Sequence, residues 1–298
     1  MLKTRFPHIF GIDVEYCGYK SISASYLMRS PEGKIALIDC GTPARYQIIK
    51  NSLKSIGARD EDVQSLILTH SHLDHSGSTS LLIQDFPKIK VFAHNKTLNV
   101  LRDPSAIIKH MSRVLRRYDE EFGKHIVPIP EKFLNELKDG QEIDFNGFRK
   151  LSILHTPGHT PDHITILSNQ DELVFTGDAF GTLYDQIDKP ITSCPIIFDP
   201  DDTIHSIKKI MNSGAKFAAL SHYNIIDNIK VFGDKCIEFT EMIKRIAVEC
   251  DNPIKCLEDE YERIFGPNFK SKRIVHGHFM TNCLGVKQLK ERIRKNKQ

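Results

Sequence analysis

The sequence has no run of about 18 apolar residues, the length a membrane-spanning helix needs, so no membrane partner is expected. Its start, MLKTRFPHIFGIDVEY, lacks the apolar core of about 7–15 residues that marks a secretory signal. The seven cysteines, at 17, 40, 194, 236, 250, 256 and 283, include no CxxC pair, and an odd number cannot all pair within one chain. These absences point to reduced thiols and a cytoplasmic protein. Cys40, after the strand-like run IALID, reads as a packed small hydrophobe. Charge of one sign is also scarce. The net charge is +3, too small to suggest a nucleic-acid binder by itself. Much of that excess sits in the tail KQLKERIRKNKQ, which reads as a frayed, solvated helix end. No repeat of about 20–50 residues and no low-complexity segment appears. What remains is the profile of a globular enzyme acting on a small molecule, with a homodimer permitted.

Against this plain background one stretch stands out. ILTHSHLDHSGS, residues 67–78, places three histidines and an aspartate within six positions. The run before it, VQSLIL, reads as a buried strand, and SGSTSLLIQDF after it reads as a helix start. The cluster therefore lies on a loop between rigid elements, where functional groups are commonly held. In extended chain, residues two apart point the same way, so His70 and His72 can face one metal while Asp74 and His75 turn elsewhere. Imidazole nitrogens and carboxylate oxygens are zinc-type ligands. Solvated loop histidines explain one such residue, and explain four poorly.

The rest of the chain alternates strand and helix signals. SASYLMRS and IALIDCG flank a hairpin turn, and PARYQIIKNSLKSIG reads as an amphipathic helix. Residues 95 to about 140 read as a charged helical insertion over one face of the core. There Ile107, Met111, Val114 and Leu115 mark an apolar helix face, suited to a lid or to burial on the core. EIDF with FRKLSILH, and HITILS with ELVFTG, read as strand pairs; AKFAALSHYN ends another strand. From 227 to 298 the pattern is helical and more charged. Three further candidates follow strands: the histidines of LHTPGHTPDH (155, 159 and 163), Asp178 in VFTGDAFG, and His222 in ALSHYN.

The series HxHxDH at 70–75, then TPGHT, TGDAFG and a strand ending in His, resembles the metallo-β-lactamase superfamily, in its branch near glyoxalase II and the lactonases. LIDCG, with Asp39, looks like that family's early strand motif. The resemblance implies a four-layer αββα sandwich of the α+β class over residues 1–226, with the helical insertion and a helical C-terminal extension, 227–298. It puts His70, His72 and His159 on a first metal, and Asp74, His75 and His222 on a second, with Asp178 bridging. Asp39 supports the histidine loop, while His94, His155 and His163 read as packing histidines. The family often has Pro-Gly before the last histidine, where this chain has LSHYN. VHGHF, with His276 and His278, lies outside the motifs and reads as structural or surface.

The implied chemistry is hydrolysis of a thioester, ester or lactone by a dinuclear zinc-bound hydroxide, with iron or manganese as other metals. Two such ions about 3.5–4 Å apart bring a shared water's pKa toward 7. Asp74 is the candidate proton acceptor. Tyr184, like a tyrosine in related lactonases, is a candidate donor to the developing oxyanion, and otherwise a packed side chain. Tyr223, beside His222, has the same two readings. The alternative on this fold is a mononuclear iron persulfide dioxygenase using His70, His159 and Asp178. A nuclease is disfavoured by the low charge, and glyoxalase II itself by the lack of a basic glutathione cluster in the C-terminal third.

Overall fold

The computed structural model describes residues 2–114, 118–184, 187 and 189–296. Its first sheet runs in chain order: β1 (Leu2–Lys3), β2 (Ile9–Asp13), β3 (Ala24–Arg29), β4 (Ile35–Ile38), β5 (Val63–Ile67), β6 (Lys90–His94) and β7 (Leu134–Leu137). The second comprises β8 (Glu142–Phe145), β9 (Arg149–His155), β10 (Ile164–Ser168), β11 (Leu173–Phe175), β12 (Phe217–Ala219) and β13 (Ile225–Ile226), each beside the next. The helices are α1 (Tyr46–Ser55), α2 (Leu73–Ser76), α3 (Thr79–Asp85), α4 (Asn95–Arg102), α5 (Ser105–Val114) and α6 (Tyr118–Glu121). The remaining ones are α7 (Pro200–Met211), α8 (Ile229–Glu249), α9 (Pro253–Phe265) and α10 (Arg273–Asn296).

The layers follow from side-chain alternation. In β4, Ala36 and Ile38 face the core between the sheets, and Ile35 and Leu37 face the outer core under α1, α3 and α4. A strand covered on both faces needs an unbroken apolar run, which IALI supplies. On the other sheet, Val174 and Ala218 face outward to Ile207 and Ile210 of α7 and Phe232 of α8. Phe175 and Ala219, their neighbours, face inward. The result is the expected four-layer αββα sandwich. No helix among the described residues is long and apolar enough to cross a membrane.

Two segments differ from their sequence reading. The described part of the tail is helical to Asn296, and its Leu289 is buried in the central core, while Lys287, Arg294 and Lys295 are exposed. Arg292 donates to the carbonyls of Ile196 (2.6 Å) and Phe198. Those carbonyls gain charge-assisted partners, which holds the basic tail down. The insertion, in turn, is helical only at first. Leu134–Leu137 pairs in parallel with β6 and extends the sheet. Ile107, Ile108 and Met111 of α5 pack around Leu73 and Phe122, so α5 lies against α2, the turn that carries part of the histidine cluster. Leu115 and the side chain of Val114 lie outside the described residues.

Candidate metal centre

Four strands run out at one edge of the sandwich, and each is followed by a candidate side chain. Asp39 follows β4, His70 follows β5, Asp178 follows β11 and His222 follows β12, while His159 sits in the turn between β9 and β10. Backbone bonds tie the edge together: Ile164 N–H donates to Thr69 O and Ala24 N–H to Ser221 O, both at 2.8 Å. Gly177 takes a left-handed φ of 52°, and a Cβ there would land on the His163 ring. That is why the chain turns into Asp178 through glycine.

The seven expected side chains come together in two groups. His70, His72, His159 and Asp178 form one, and Asp74, His75 and His222 the other; in each, one atom per residue lies within 4.8 Å of the rest, a donor set that can hold a metal ion. Asp178 joins the groups. Its Oδ2 lies 3.3 Å from His159 Nε2, and its Oδ1 lies 3.4 Å from His75 Nε2 and 3.5 Å from His222 Nε2. Asp74 Oδ2 is 3.5 Å from His222 Nε2 and 3.7 Å from His75 Nε2. His72 and Asp74 keep part of their surface exposed, and the other five are buried.

The outward nitrogens fix the tautomers. His75 Nδ1 donates to Asp39 Oδ2 (2.9 Å), and His70 Nδ1 to Thr69 Oγ1 (3.0 Å), whose own hydrogen goes to Asp39. His159 Nδ1 donates to the carbonyl of Ser193 (3.3 Å), and His222 Nδ1 to that of Ile22 (3.0 Å). Each of the four therefore points Nε2 inward, and in its neutral form that nitrogen is the bare one. His70 Nε2 and His159 Nε2 each lie 3.0 Å from His72 Nδ1. His72 Nδ1 has at most one hydrogen to share between the two, whereas one cation among the three nitrogens would satisfy all of them. Where the groups meet, His75 Nε2 and Asp178 Oδ1 are buried without a hydrogen-bond partner among the described residues. Orphans of this kind call for an ion or a catalytic role.

The electrostatics agree. Burial opposes ionisation of Asp178 and Asp74, yet the surrounding histidines hold both carboxyls below the usual carboxylate range. Burial likewise opposes protonation of His75 and His222, but Asp178 and Asp74 hold both above the ordinary histidine value. In the first group burial prevails, and His159 is pushed down to about 4. The carboxylates thus draw positive charge to the second group, and protons supply it when nothing else does.

Other candidates fall around this pair of groups. Asp39 accepts from Thr69 N–H (2.8 Å), His75 and Ser221 Oγ (3.3 Å), so it braces the loop. His163 accepts the Asp178 N–H (3.0 Å) and donates to Thr156 Oγ1 (3.0 Å). His94 and His155 stack on each other with centroids 4.8 Å apart. Tyr223 is buried in the central core, and Tyr184 is buried with its hydroxyl 2.7 Å from His278 Nε2. Two groups escape a reading of the sequence alone. The buried Asp162 accepts from Ser71 N–H (2.9 Å), between His70 and His72, and from Thr97 Oγ1 (2.8 Å). Its signal is a carboxylate inside LHTPGHTPDH, next to the candidates. His278, expected to be structural or at the surface, is half-buried and meets Tyr184, a contact the sequence did not point to.

This architecture is shared. Residues 18–222 match the Metallo-beta-lactamase superfamily, and the chain belongs to it. It is 30% identical over 184 residues to the uncharacterized protein YobT of Bacillus subtilis, covering 59% of this chain and 65% of that one. It is also 30% identical over 154 residues to the hydroxyacylglutathione hydrolase GloC of Haemophilus influenzae, covering 51% and 64%. The chain thus spans just under two thirds of each relative. A metallo-beta-lactamase family protein of Thermus thermophilus shares the fold, with a TM-score of 0.69 at 20% identity, over 98% of this chain and 95% of that one. The likeness in fold therefore takes in the C-terminal helices that the family match leaves out.

Proposed function

We propose that the chain is a metal-dependent hydrolase of a thioester, ester or lactone, with two divalent cations held by the two groups. The observation that carries this reading is the set of inward lone pairs, with His75 Nε2 and Asp178 Oδ1 left as buried orphans. Nitrogen and carboxylate donors suit zinc. His70, His72 and His159 would hold the first ion and Asp74, His75 and His222 the second, with Asp178, close to both groups, able to serve either. Bound there, such ions lower the pKa of a water and polarise an acyl oxygen. The similarity to a hydroxyacylglutathione hydrolase favours an acylated thiol among the substrates.

The chain's own groups then have distinct tasks. Asp74 uses Oδ2 toward His75 and His222, which leaves its other oxygen to take a proton from the attacking water. It is 19% exposed, so that proton has a way out to solvent. The phenol of Tyr184 binds the oxygen that gains charge. A metal count per chain, joined to assays on thioester, lactone and phosphodiester panels, tests the reading. Two zinc ions with acyl hydrolysis are expected, and Asp178→Ala should lose both ions and on the order of 10³-fold or more in rate. One iron per chain with oxygen uptake on a persulfide would replace this reading with the dioxygenase.

A further inference from the structure

One face of α10 grips the loop that borders the metal centre. His278 Nε2 meets the Tyr184 hydroxyl at 2.7 Å. One turn on, the buried Asn282 accepts from Cys194 N–H (2.7 Å) and donates to Thr192 O (3.0 Å). Gly285 follows, so close to the Cys194 carbonyl that no Cβ fits. Positions 278, 282 and 285 fall on one helical stripe. The gripped loop is itself tied to the candidate ligands: Leu183 N–H donates to His222 O (3.2 Å), and Ser193 O accepts from His159.

The hydrogens of the Tyr184–His278 contact can be assigned by accounting. His278 Nδ1 is buried with no partner among the described residues. Burial, reinforced by His222, pushes the ring's pKa down to about 3, so it carries a single hydrogen. Placed on Nδ1, that hydrogen would be a buried donor with nowhere to go, the rarest kind of orphan. Placed on Nε2, it is donated to the phenol oxygen, and only a bare lone pair is left over. The phenol then keeps its own hydrogen to give away. Burial and the carboxylates of Asp178 and Asp74 also hold Tyr184 in its protonated form.

We propose that His278 is a positioning residue: by donating Nε2–H to the Tyr184 oxygen, it turns the tyrosine hydrogen toward the substrate's acyl oxygen. This rests on the hydrolase reading, with the C-terminal helix as a working wall of that site. Two measurements test it on the zinc-loaded protein. Long-range proton–nitrogen NMR should find His278 as the Nε2–H tautomer, with its resonance displaced in Tyr184→Phe. An Nδ1–H tautomer, or no response to that variant, overturns the proposal whatever the enzyme hydrolyses. In kinetics, Tyr184→Phe and His278→Phe should each lower kcat by on the order of 10²-fold with KM little changed, and the double variant should be no worse than either. His278→Gln, whose amide reaches the phenol, should recover most of the rate, while His278→Asn, whose amide falls short, should not. This pair decides the matter even if His278→Phe does not fold. Additive losses, or Gln no better than Asn, would overturn it. A wild-type protein inert on the whole panel refutes the hydrolase reading instead, and the tautomer then decides whether the pair is set as described.

Discussion

Replacing Asp39 by Asn should weaken the second metal site and spare the first, through a tautomer. Asp39 sits at φ 57°, a left-handed value that Asn tolerates, so the backbone survives the change. Its Oδ1 accepts Thr69 N–H at 2.8 Å, and the Asn carbonyl can keep that bond. The new amide nitrogen then faces His75 Nδ1, which now donates to Oδ2 at 2.9 Å. Two donors cannot share a hydrogen bond, so the imidazole moves its hydrogen to Nε2, the nitrogen aimed at Asp178. An Nε2–H has no lone pair for a cation. Forcing the hydrogen back costs one charge-assisted bond, about 1.5–3 kcal/mol. At about 1.4 kcal/mol per factor of ten, that is a loss of roughly 10–100-fold in affinity. Flipping the amide only transfers the clash to Thr69. Zinc competition against a chromophoric chelator reads both sites. The second should weaken by that factor and the first by no more than a few fold. Two unaffected sites, or a weakened first site beside an intact second, would refute the tautomer argument.

Two other predictions concern the same edge. Zinc must displace the protons that Asp178 and Asp74, acting against burial, hold on His75 and His222. Second-site affinity should therefore rise with pH, and calorimetry in buffers of different ionisation heat should show protons released near pH 7. Metal-free stability runs the other way: the raised histidines contribute fully below about 6.5, and that contribution is lost as pH climbs through their folded values. Binding without proton release would contradict this account. In the insertion, Ile107→Ala with Met111→Ala removes half-buried packing from Leu73, at about 1–2 kcal/mol each. Amides of 73–77 should then exchange faster with solvent, and KM should rise. Unaltered exchange in that turn would leave α5 as mere scaffold.

The strands and the clustering of the candidate side chains were legible because short-range signals carry them. IALI and SLIL carry apolar residues on both faces, and Asp39, His70, Asp178 and His222 each follow a strand by one to three residues. What escaped depends on contacts across the chain. Asp162 acts through Ser71 and Thr97, 91 and 65 positions away, and His278 through Tyr184, 94 positions away. Helical periodicity tells which face of α10 is apolar. It does not tell that a loop at 192–194 lies beneath the polar residue on that face. The basic tail misled for a related reason. Arg292 looks solvated in sequence, and the carbonyls it satisfies belong to Ile196 and Phe198.

The motif also names side chains without naming their protons, and the chemistry of the centre depends on the protons. Four histidines turn Nε2 inward because an oxygen outside takes Nδ1–H. Two of those oxygens are side-chain atoms, on Thr69 and Asp39, which a sequence can display. The other two are the carbonyls of Ser193 and Ile22, which any residue type would supply. Only the path of the backbone brings them there. The loop that presents Ser193 is held by Asn282, so a helix beyond the family's own motif helps to set which nitrogen of His159 is bare. A recognisable set of candidate ligands is therefore half of the site. The other half is a set of acceptors written into the fold.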